Sequence, residues 1–275
     1  MALLQVNYLS CALFRTVPLN VILPSDKIDY ATGTYLSKAG QKFKTLYLLH
    51  GLLGNYTDWV SGTRIQRWAE EKNLAVVMPS GDNSFYFKGP APMNDYEKFI
   101  GEELLDVTRR MFPLSDKRED TYIAGLSMGG YGAIRNGIVY SEKFSHVAGL
   151  SAAVHFLENP PEDHFTKGFF ADSAAAAKTN LNVKVAFEEL LAEGRRQPKF
   201  YLSCGRKDDL MPANESLRDF LMERGADVTW DEEPNAGHEW DFWDSQIKKV
   251  LDWLPLGSAS AGLGSGNVNV NVAEN

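Results

Sequence analysis

The stretch Thr121-Tyr122-Ile123-Ala124-Gly125-Leu126-Ser127-Met128-Gly129-Gly130 decides the fold of this chain. Its first four residues have the character of a buried strand, and residues 129–140 have the pattern of a helix. A Gly-x-Ser-x-Gly sequence between a strand and a helix is typical of a nucleophile elbow, a strained turn that exposes a serine. The alternative is a glycine-rich turn in which Ser127 only caps the helix. The strand-to-helix context favours the elbow, where larger flanking side chains would clash.

Strands and helices alternate on both sides of this turn. Two extended segments, residues 2–10 and 12–23, predict an antiparallel N-terminal strand pair. Short apolar runs with strand character follow at residues 45–49, 74–78, 121–124, 146–150, 199–203 and 227–230. Helical patterns lie near residues 62–72, 94–111, 129–140, 183–193, 213–224 and 240–254. This alternation predicts an α/β fold with a mostly parallel central sheet and helices on both faces.

The length and composition favour one globular domain. The chain has 275 residues, of which 44% are hydrophobic, and no clear linker divides residues 1–257. Residues 152–182 interrupt the strand and helix alternation with Pro160-Pro161 and an alanine run, which predicts a small lid-like insertion. Residues 258–275 begin with Gly and Ser and end in an Asn-Val repeat, which predicts a flexible low-complexity tail.

The charge pattern excludes several classes of partner. The chain carries 28 Lys and Arg against 36 Asp and Glu, a net charge of −8, and its basic residues form no run longer than a pair. We therefore expect no nucleic acid and no membrane as a partner. The first residues lack the basic start of a signal peptide, and no apolar stretch approaches the roughly 18 residues that span a bilayer. Cys11 and Cys204 are far apart and predict reduced thiols, so we expect a cytoplasmic protein.

An activated serine needs a general base, and histidine has the near-neutral pKa that this role requires. His238 follows the last predicted strand and opens the last helix, which is where an α/β-hydrolase carries its base. His146 falls in a predicted strand and is expected to be structural. His155 and His164 lie in the insertion. We expect His50 to order the loop after the third strand through its ring nitrogens.

The carboxylate that orients the base is expected after the next-to-last strand. The segment Cys204-Gly205-Arg206-Lys207-Asp208-Asp209 follows that strand and supplies two adjacent aspartates. The chain order is Ser127, then Asp208 or Asp209, then His238. This is the order of α/β-hydrolases and not that of the chymotrypsin or subtilisin folds. Order alone does not choose between the aspartates, and one of them is expected to be solvated or to cap a helix.

The reaction also needs hydrogen-bond donors for an oxyanion. The backbone N–H of Met128, the residue after the serine, is one candidate, and that of Leu52, in the loop after the third strand, is the other. Six aromatic residues near the motifs could line an acyl or alcohol pocket, although core packing explains them equally well: Trp59, Phe85, Tyr86, Phe87, Trp240 and Trp243. In the insertion, Phe165, Phe169 and Phe170 are further candidate walls. The sequence has no P-loop, no dinucleotide fingerprint and no HExxH motif, so we expect no cofactor and no metal.

Four motifs together resemble the esterase D superfamily. They are His50-Gly51-Leu52-Leu53-Gly54-Asn55, Gly125-Leu126-Ser127-Met128-Gly129-Gly130, Cys204-Gly205-Arg206-Lys207-Asp208 and Gly237-His238-Glu239-Trp240. The similarity covers residues 2–255 and is greatest to the tributyrin esterase branch of small bacterial carboxylesterases, which is related to S-formylglutathione hydrolases and to feruloyl or acetylxylan esterases. The resemblance implies an α/β-hydrolase fold and assigns the triad acid to Asp208. This chain differs in having Asp209 where the family has an apolar residue.

These observations predict a serine carboxylesterase that hydrolyses short-chain acyl esters through an acyl-enzyme, with a small-molecule ester as its substrate. A thioesterase acting on S-formylglutathione, a feruloyl or acetylxylan esterase and an acyltransferase are alternatives, because one fold supports several activities. A binding module on a decayed hydrolase fold is the alternative outside enzymes. Such decay usually removes the serine, the base or the acid, and all three are present here. Homo-oligomer formation stays open.

Overall fold

The computed structural model describes residues 1–29, 31–157, 173–257, 262–264 and 267–269. Eight strands form its main sheet: β1 (Ala2–Ser10), β2 (Arg15–Leu23), β3 (Thr45–Leu49), β4 (Ala75–Pro79), β5 (Thr121–Leu126), β6 (His146–Leu150), β7 (Lys199–Gly205) and β8 (Val228–Glu233). Their spatial order is β1-β2-β4-β3-β5-β6-β7-β8. Strand β2 is antiparallel to both β1 and β4, and the remaining neighbours are parallel. The predicted mostly parallel sheet with an antiparallel N-terminal pair is confirmed.

Helices cover both faces of the sheet. They are α1 (Asp58–Gly62), α2 (Ile65–Glu71), α3 (Tyr96–Lys98), α4 (Leu104–Met111), α5 (Met128–Val139), α6 (Ser173–Ala176), α7 (Val183–Ala192), α8 (Met211–Glu223) and α9 (Trp240–Trp253). Alternate residues of β3 show the two layers. Tyr47 and Leu49 belong to the core cluster beneath α5 and α7, whereas Leu46 and Leu48 belong to the cluster beneath α2 and α9. Central strands buried on both faces become continuous apolar runs, which made them visible in the sequence.

The helix predicted over residues 94–111 is interrupted. One π-helical turn, Phe99–Glu103, separates α3 from α4. Gly101 lies so close to the Tyr140 ring that a Cβ would overlap it, and the Gly101 carbonyl accepts a hydrogen bond from Lys143 Nζ at 2.9 Å. The π-helical turn therefore occurs where Gly101 packs closely against Tyr140, and Lys143 satisfies the Gly101 carbonyl. Strand β2 also begins later than predicted, because residues 11–14 form a turn.

The long loop over residues 79–90 is packed into the core. Phe85, Tyr86 and Phe87 are all buried. Phe85 and Tyr86 have φ values of 51° and 56°, in the left-handed region that side chains rarely adopt. A Cβ on Gly132 would overlap the Tyr86 ring, so that helical glycine leaves the space that the ring occupies. The loop is thus a fixed part of the structure beside β3.

The predicted insertion and tail lie partly outside the described residues. Residues 158–172, with His164, Phe165, Phe169 and Phe170, fall there. Within the predicted tail, β9 (Gly262–Gly264) and β10 (Asn267–Asn269) pair antiparallel, and its other residues fall outside as well. Among the residues described, none of the helices has the length and apolar character that crossing a bilayer requires.

Candidate active site

The turn between β5 and α5 places Ser127 at the carboxyl edge of the sheet. Ser127 has φ 52° and ψ −119°, a backbone conformation that residues with side chains rarely adopt. Its flanking glycines are required because neighbouring main chain lies too close for a side chain. A Cβ on Gly125 would overlap the Gly129 carbonyl, and a Cβ on Gly129 would overlap the Leu49 carbonyl. The structure therefore has the sharp strand-to-helix turn that the motif predicts.

Three side chains from distant segments form one hydrogen-bonded chain. Ser127 Oγ lies 3.0 Å from His238 Nε2, and His238 Nδ1 lies 2.9 Å from Asp208 Oδ2. In the neutral imidazole, Nδ1–H donates to the Asp208 carboxylate, which leaves Nε2 to accept the Ser127 hydroxyl. The side chain of His238 is 39% exposed and that of Asp208 only 1%. The structure thus brings together Ser127, Asp208 and His238. The histidine side chain is partly exposed to solvent, whereas the aspartate at the other end of the hydrogen-bonded chain is buried.

The two adjacent aspartates have different surroundings. Asp208 is buried, and its Oδ1 accepts the Leu210 N–H at 2.9 Å. Asp209 is exposed and forms no hydrogen bond within the described part of the chain. Burial would raise the pKa of Asp208, but hydrogen bonds from His238, the Leu210 N–H and the Ser151 hydroxyl hold that pKa below its usual value. Asp208 is therefore the charged group that faces the imidazole.

Ser151, which follows β6, contacts Asp208 on the side away from the cavity. It is fully buried and has φ 46°. Trp243 Nε1 donates to Ser151 Oγ at 3.3 Å. Because an indole N–H only donates, the hydroxyl hydrogen of Ser151 remains available to Asp208. The Trp243 ring also packs edge-on against the His238 ring, with centroids 4.9 Å apart. One tryptophan therefore contacts both the histidine and the serine behind the aspartate.

The loop after β3 approaches the serine turn closely. Gly51 lies against Leu126 and Ser127, and a Cβ on Gly51 would be 2.6 Å from Leu126 Cδ1. The neighbouring N–H of Leu52 has no acceptor among the described residues, and neither has the N–H of Met128 at the start of α5. Two unused donors beside one serine are what an oxyanion requires. These are the two N–H groups that the sequence predicts as oxyanion donors.

His50 joins this loop to the loop over residues 79–90. The Gly81 N–H donates to His50 Nε2 at 2.7 Å, so His50 Nδ1 carries the hydrogen and donates to the Gly51 carbonyl, also at 2.7 Å. Burial lowers the pKa of His50, which keeps the ring neutral and able to do both. The Tyr86 hydroxyl donates to the His50 carbonyl at 2.9 Å. The predicted ordering role of His50 agrees with these contacts.

A cavity of about 470 Å³ opens beside the serine. Its described lining comprises Gly51, Leu52, Leu53, Gly54, Asp58, Leu126, Ser127, His238, Trp240 and Trp243. Of the aromatic residues considered from the sequence, Trp240 and Trp243 belong to this wall. Trp59 is buried behind Trp240 and donates to the Leu49 carbonyl. Phe85, Tyr86 and Phe87 pack in the core and are absent from this described lining.

The remaining sequence candidates lie away from the serine. The His146 ring packs between Tyr122 and Trp253, as expected for a structural histidine, and burial lowers its pKa to about 4. Both cysteines are free thiols: Cys11 is exposed, and Cys204 is buried beside Asp208. Burial, followed by the charge of Asp208, raises the pKa of Cys204 to about 12. In the described region, no cluster of three His, Cys, Asp or Glu residues could hold a metal ion.

Sequence reasoning missed three residues of this region. Ser151 supports Asp208, Asp58 lies on the cavity wall, and buried Asn214 bonds to both backbone atoms of Ala152 and to the Leu210 carbonyl. Ser151 could have been found, because it directly follows a parallel strand and such strand ends form the sites of α/β sheets. The pattern around Asp58 and Asn214 carries no comparable signal.

Comparison with known proteins gives consistent matches along most of the chain. The family model Esterase, described as "Putative esterase", matches residues 10–254. An acetyl esterase from Caldicellulosiruptor saccharolyticus is 38% identical over 264 residues, covering 92% of this chain and 98% of that protein. The structure of an S-formylglutathione hydrolase from Staphylococcus aureus superposes with a TM-score of 0.80 at 30% identity. A fluorophosphonate-binding serine hydrolase from Staphylococcus aureus gives 0.81 at 31%. Each comparison covers 92% of this chain and 98% of the solved one.

Proposed function

The chain belongs to the Esterase family of serine hydrolases, and we propose that it hydrolyses short-chain carboxylic esters through an acyl-enzyme on Ser127. The α/β-hydrolase fold and the activity class of a carboxylic ester hydrolase are confirmed predictions. The roles of individual residues and the choice of acyl group are the proposal. The observation that carries it is the hydrogen-bonded chain from Ser127 Oγ through His238 to Asp208, with distances of 3.0 and 2.9 Å.

Acylation begins with proton transfer within this chain. As Ser127 Oγ attacks the ester carbonyl carbon, its hydrogen passes to His238 Nε2. The imidazolium then bears a positive charge directly beside the Asp208 carboxylate, which stabilises it and holds the ring in place. Because Asp208 keeps a low pKa, the proton stays on the imidazole and does not move to the carboxylate.

The carbonyl oxygen becomes negatively charged at the same time. The N–H groups of Leu52 and Met128 donate to this oxyanion, and a single such donor contributes about 3 kcal/mol to the transition state in related chemistry. His238 Nε2 next protonates the alcohol oxygen, which leaves. Water then gives a proton to the same nitrogen and attacks the acyl carbon; as the bond to Ser127 Oγ breaks, Nε2 returns that proton to Oγ and the acid is released.

Two observations support a short acyl chain. The relative with 38% sequence identity is an acetyl esterase, and the described cavity is small. About 470 Å³ must hold both the acyl and the alcohol portion. An open groove would add roughly 0.8 kcal/mol for each buried methylene, whereas a closed pocket penalises overpacking by about 1–3 kcal/mol. We expect the second behaviour.

The test is kcat/KM for p-nitrophenyl esters with acyl chains of two to sixteen carbons. An optimum between two and four carbons followed by a decline supports the proposal. An optimum at twelve carbons or beyond would contradict the short-chain assignment while leaving esterase activity itself intact.

A thioester is the second candidate substrate. The 30% identical structure of an S-formylglutathione hydrolase favours it, because the same acyl transfer to serine serves a thiolate leaving group. S-formylglutathione should therefore be assayed beside p-nitrophenyl acetate. A kcat/KM at least a hundredfold higher for the thioester would make it the preferred substrate.

A further inference from the structure

One carboxylate on the cavity wall has no partner in the part of the chain that the structure describes. Asp58 is the only acid among the described lining residues, and its side chain is half-buried. Within the described region it forms neither a salt bridge nor a side-chain hydrogen bond. Gly54 packs against it so closely that a Cβ there would overlap Asp58 Oδ2. The carboxylate is thus held against the loop that carries Leu52 and is left with free acceptor positions.

The negative charge of Asp58 reaches groups around the loop after β3. Burial is the main influence on the pKa of Tyr86, which it raises, and the charge of Asp58 raises that pKa further. Burial is also the main influence on the pKa of His50, which it lowers, and there the charge of Asp58 acts in the opposite direction. The same field opposes a second negative charge, the oxyanion that forms beside Leu52. This repulsion is offset when the substrate places a cationic group or a hydroxyl hydrogen beside the Asp58 carboxylate.

His238 identifies the portion of the substrate that meets Asp58. His238 Nε2 must protonate the alcohol oxygen, so the alcohol portion lies on the His238 side of Ser127. Trp240 follows on that side and packs edge-on against Trp59, with ring centroids 5.8 Å apart. Gly62 lies one helical turn after Asp58 on the same face of α1, and a Cβ there would overlap the Trp240 ring. Helix α1 therefore places Asp58 on the Trp240 side of the cavity, which both residues line.

We infer that Asp58 selects esters whose alcohol portion carries a hydroxyl or a cationic group. The inference rests on the proposed function, because it concerns the leaving group of that reaction. Carboxylates accept hydrogen bonds from hydroxyls and attract cations, and the aromatic faces of Trp240 and Trp243 suit a cation or a polar aliphatic group. An apolar alcohol of the same shape would leave Asp58 unpaired and lose this interaction.

Two isosteric substrate pairs test the selection. Acetylcholine and 3,3-dimethylbutyl acetate differ only in charge, and 2-hydroxyethyl acetate and propyl acetate differ only in a terminal hydroxyl. We expect the wild type to favour the polar member of at least one pair by about tenfold in kcat/KM. A preference in the first pair alone identifies a cationic alcohol, and a preference in the second identifies a hydroxylated one.

The variant Asp58→Asn removes the charge and keeps the shape. We expect the preference to fall to about one, while kcat/KM for the apolar members stays equal or rises because the opposing charge is gone. Asp58→Ser is a second variant in case the amide pairs differently with the loop. Asp209→Asn removes an exposed acid that lies outside the described cavity lining and is the matched control, in which the preference should remain.

The outcomes separate this inference from the proposed function. Hydrolysis of p-nitrophenyl acetate by the wild type tests the function alone. If the wild type hydrolyses that ester but does not prefer the polar member of either pair, or if both Asp58 variants keep the preference, the role of Asp58 is overturned. If no ester is hydrolysed, the proposed function itself has failed.

Discussion

Ser127 and Ser151 occupy equivalent positions on neighbouring strands. Each ends a Gly-Leu-Ser sequence, and the parallel register of β5 and β6 pairs Gly125 with Gly149 and Leu126 with Leu150. Both serines have a left-handed backbone, with φ values of 52° and 46°. Yet Ser127 is partly exposed at the cavity, whereas Ser151 is fully buried behind Asp208. The same backbone conformation therefore presents one hydroxyl to the cavity and another to a carboxylate.

The residues that follow each serine explain the difference. Gly129 lets α5 begin directly against the end of β3, and Gly130 packs against Leu150 and Ala152, so the Ser127 turn leads into a helix. After Ser151 come two alanines, and Asn214 fixes the first of them, Ala152, through both backbone atoms. Local sequence after the strand thus decides whether a strained serine opens to solvent or is enclosed.

Ser127→Ala should produce the largest difference between the two serines. We expect esterase kcat to fall by about 10⁴ to 10⁶, since the nucleophile, base and acid act as a unit. The measurement is kcat for p-nitrophenyl acetate on a preparation whose circular dichroism matches the wild type. Retention of more than a tenth of wild-type kcat would refute the proposed mechanism.

The adjacent aspartates provide the next largest effect. Asp208→Asn should reduce kcat about 10⁴-fold, because the amide can donate to Nδ1 and favours the wrong tautomer of His238. Asp209→Asn is the matched control and should stay within about threefold, because that side chain is exposed and forms no bond to the ring. Equal losses in the two variants would show that the acid is misassigned.

Ser151→Ala tests the buried serine directly. We expect kcat/KM to fall about tenfold, the equivalent of one charge-assisted hydrogen bond. Burial raises the pKa of Asp208 and the Ser151 hydroxyl lowers it, so removing the hydroxyl should raise that pKa. As the pH is lowered, the variant should therefore lose activity at a higher pH than the wild type does. In an Asp208→Asn background the same substitution should have little further effect, because its partner is gone.

Ser203→Ala is the control for that experiment. Ser203 is equally buried, on the next strand, but its hydroxyl has no hydrogen-bond partner among the residues that the structure describes. Removing it should leave both kcat/KM and the pH profile unchanged. If Ser203→Ala and Ser151→Ala behave alike, the effect at Ser151 is general packing and not support of Asp208.

The smallest effect concerns His146, at the opposite end of β6. Its pKa of about 4 in the fold lies below its ordinary value of 6.5, so the unfolded chain binds the extra proton between these values. Stability should therefore be fully present above pH 6.5 and decline as pH falls toward 4. His146→Phe should reduce this decline in urea unfolding at pH 7.5 and 5.0 and leave kcat at pH 7.5 intact. An unchanged pH dependence would contradict the prediction.

Much of the fold was predictable because the central strands are buried on both faces. Runs such as Thr45–Leu49 are buried throughout, and the Gly-x-Ser-x-Gly sequence around Ser127 lies between a strand and a helix, where it predicts a nucleophile elbow. The π turn at Phe99–Glu103 was not predictable, because it accompanies the approach of Tyr140 to Gly101 across helices. Local patterns carry no record of such a tertiary contact.

The site shows the same division. Ser127 and His238 were identified by residue type and their position after strands, whereas the choice of Asp208 over Asp209 needed the resemblance to a family. Burial and hydrogen bonding distinguish the two acids in the structure. Ser151 and Asp58 escaped notice because their importance depends on what surrounds them in space: a buried carboxylate in one case and an unpaired cavity wall in the other.

The two thiols differ enough to make the chain selectively addressable. Cys204 is buried, and its pKa of about 12 leaves almost no thiolate for an electrophile at neutral pH. Cys11 is exposed in the turn between β1 and β2. Strands β4 and β3 lie between β2 and β5, so the turn with Cys11 is offset from the serine turn by three strand spacings of about 4.8 Å. A maleimide dye should therefore label Cys11 and leave the buried Cys204 unmodified.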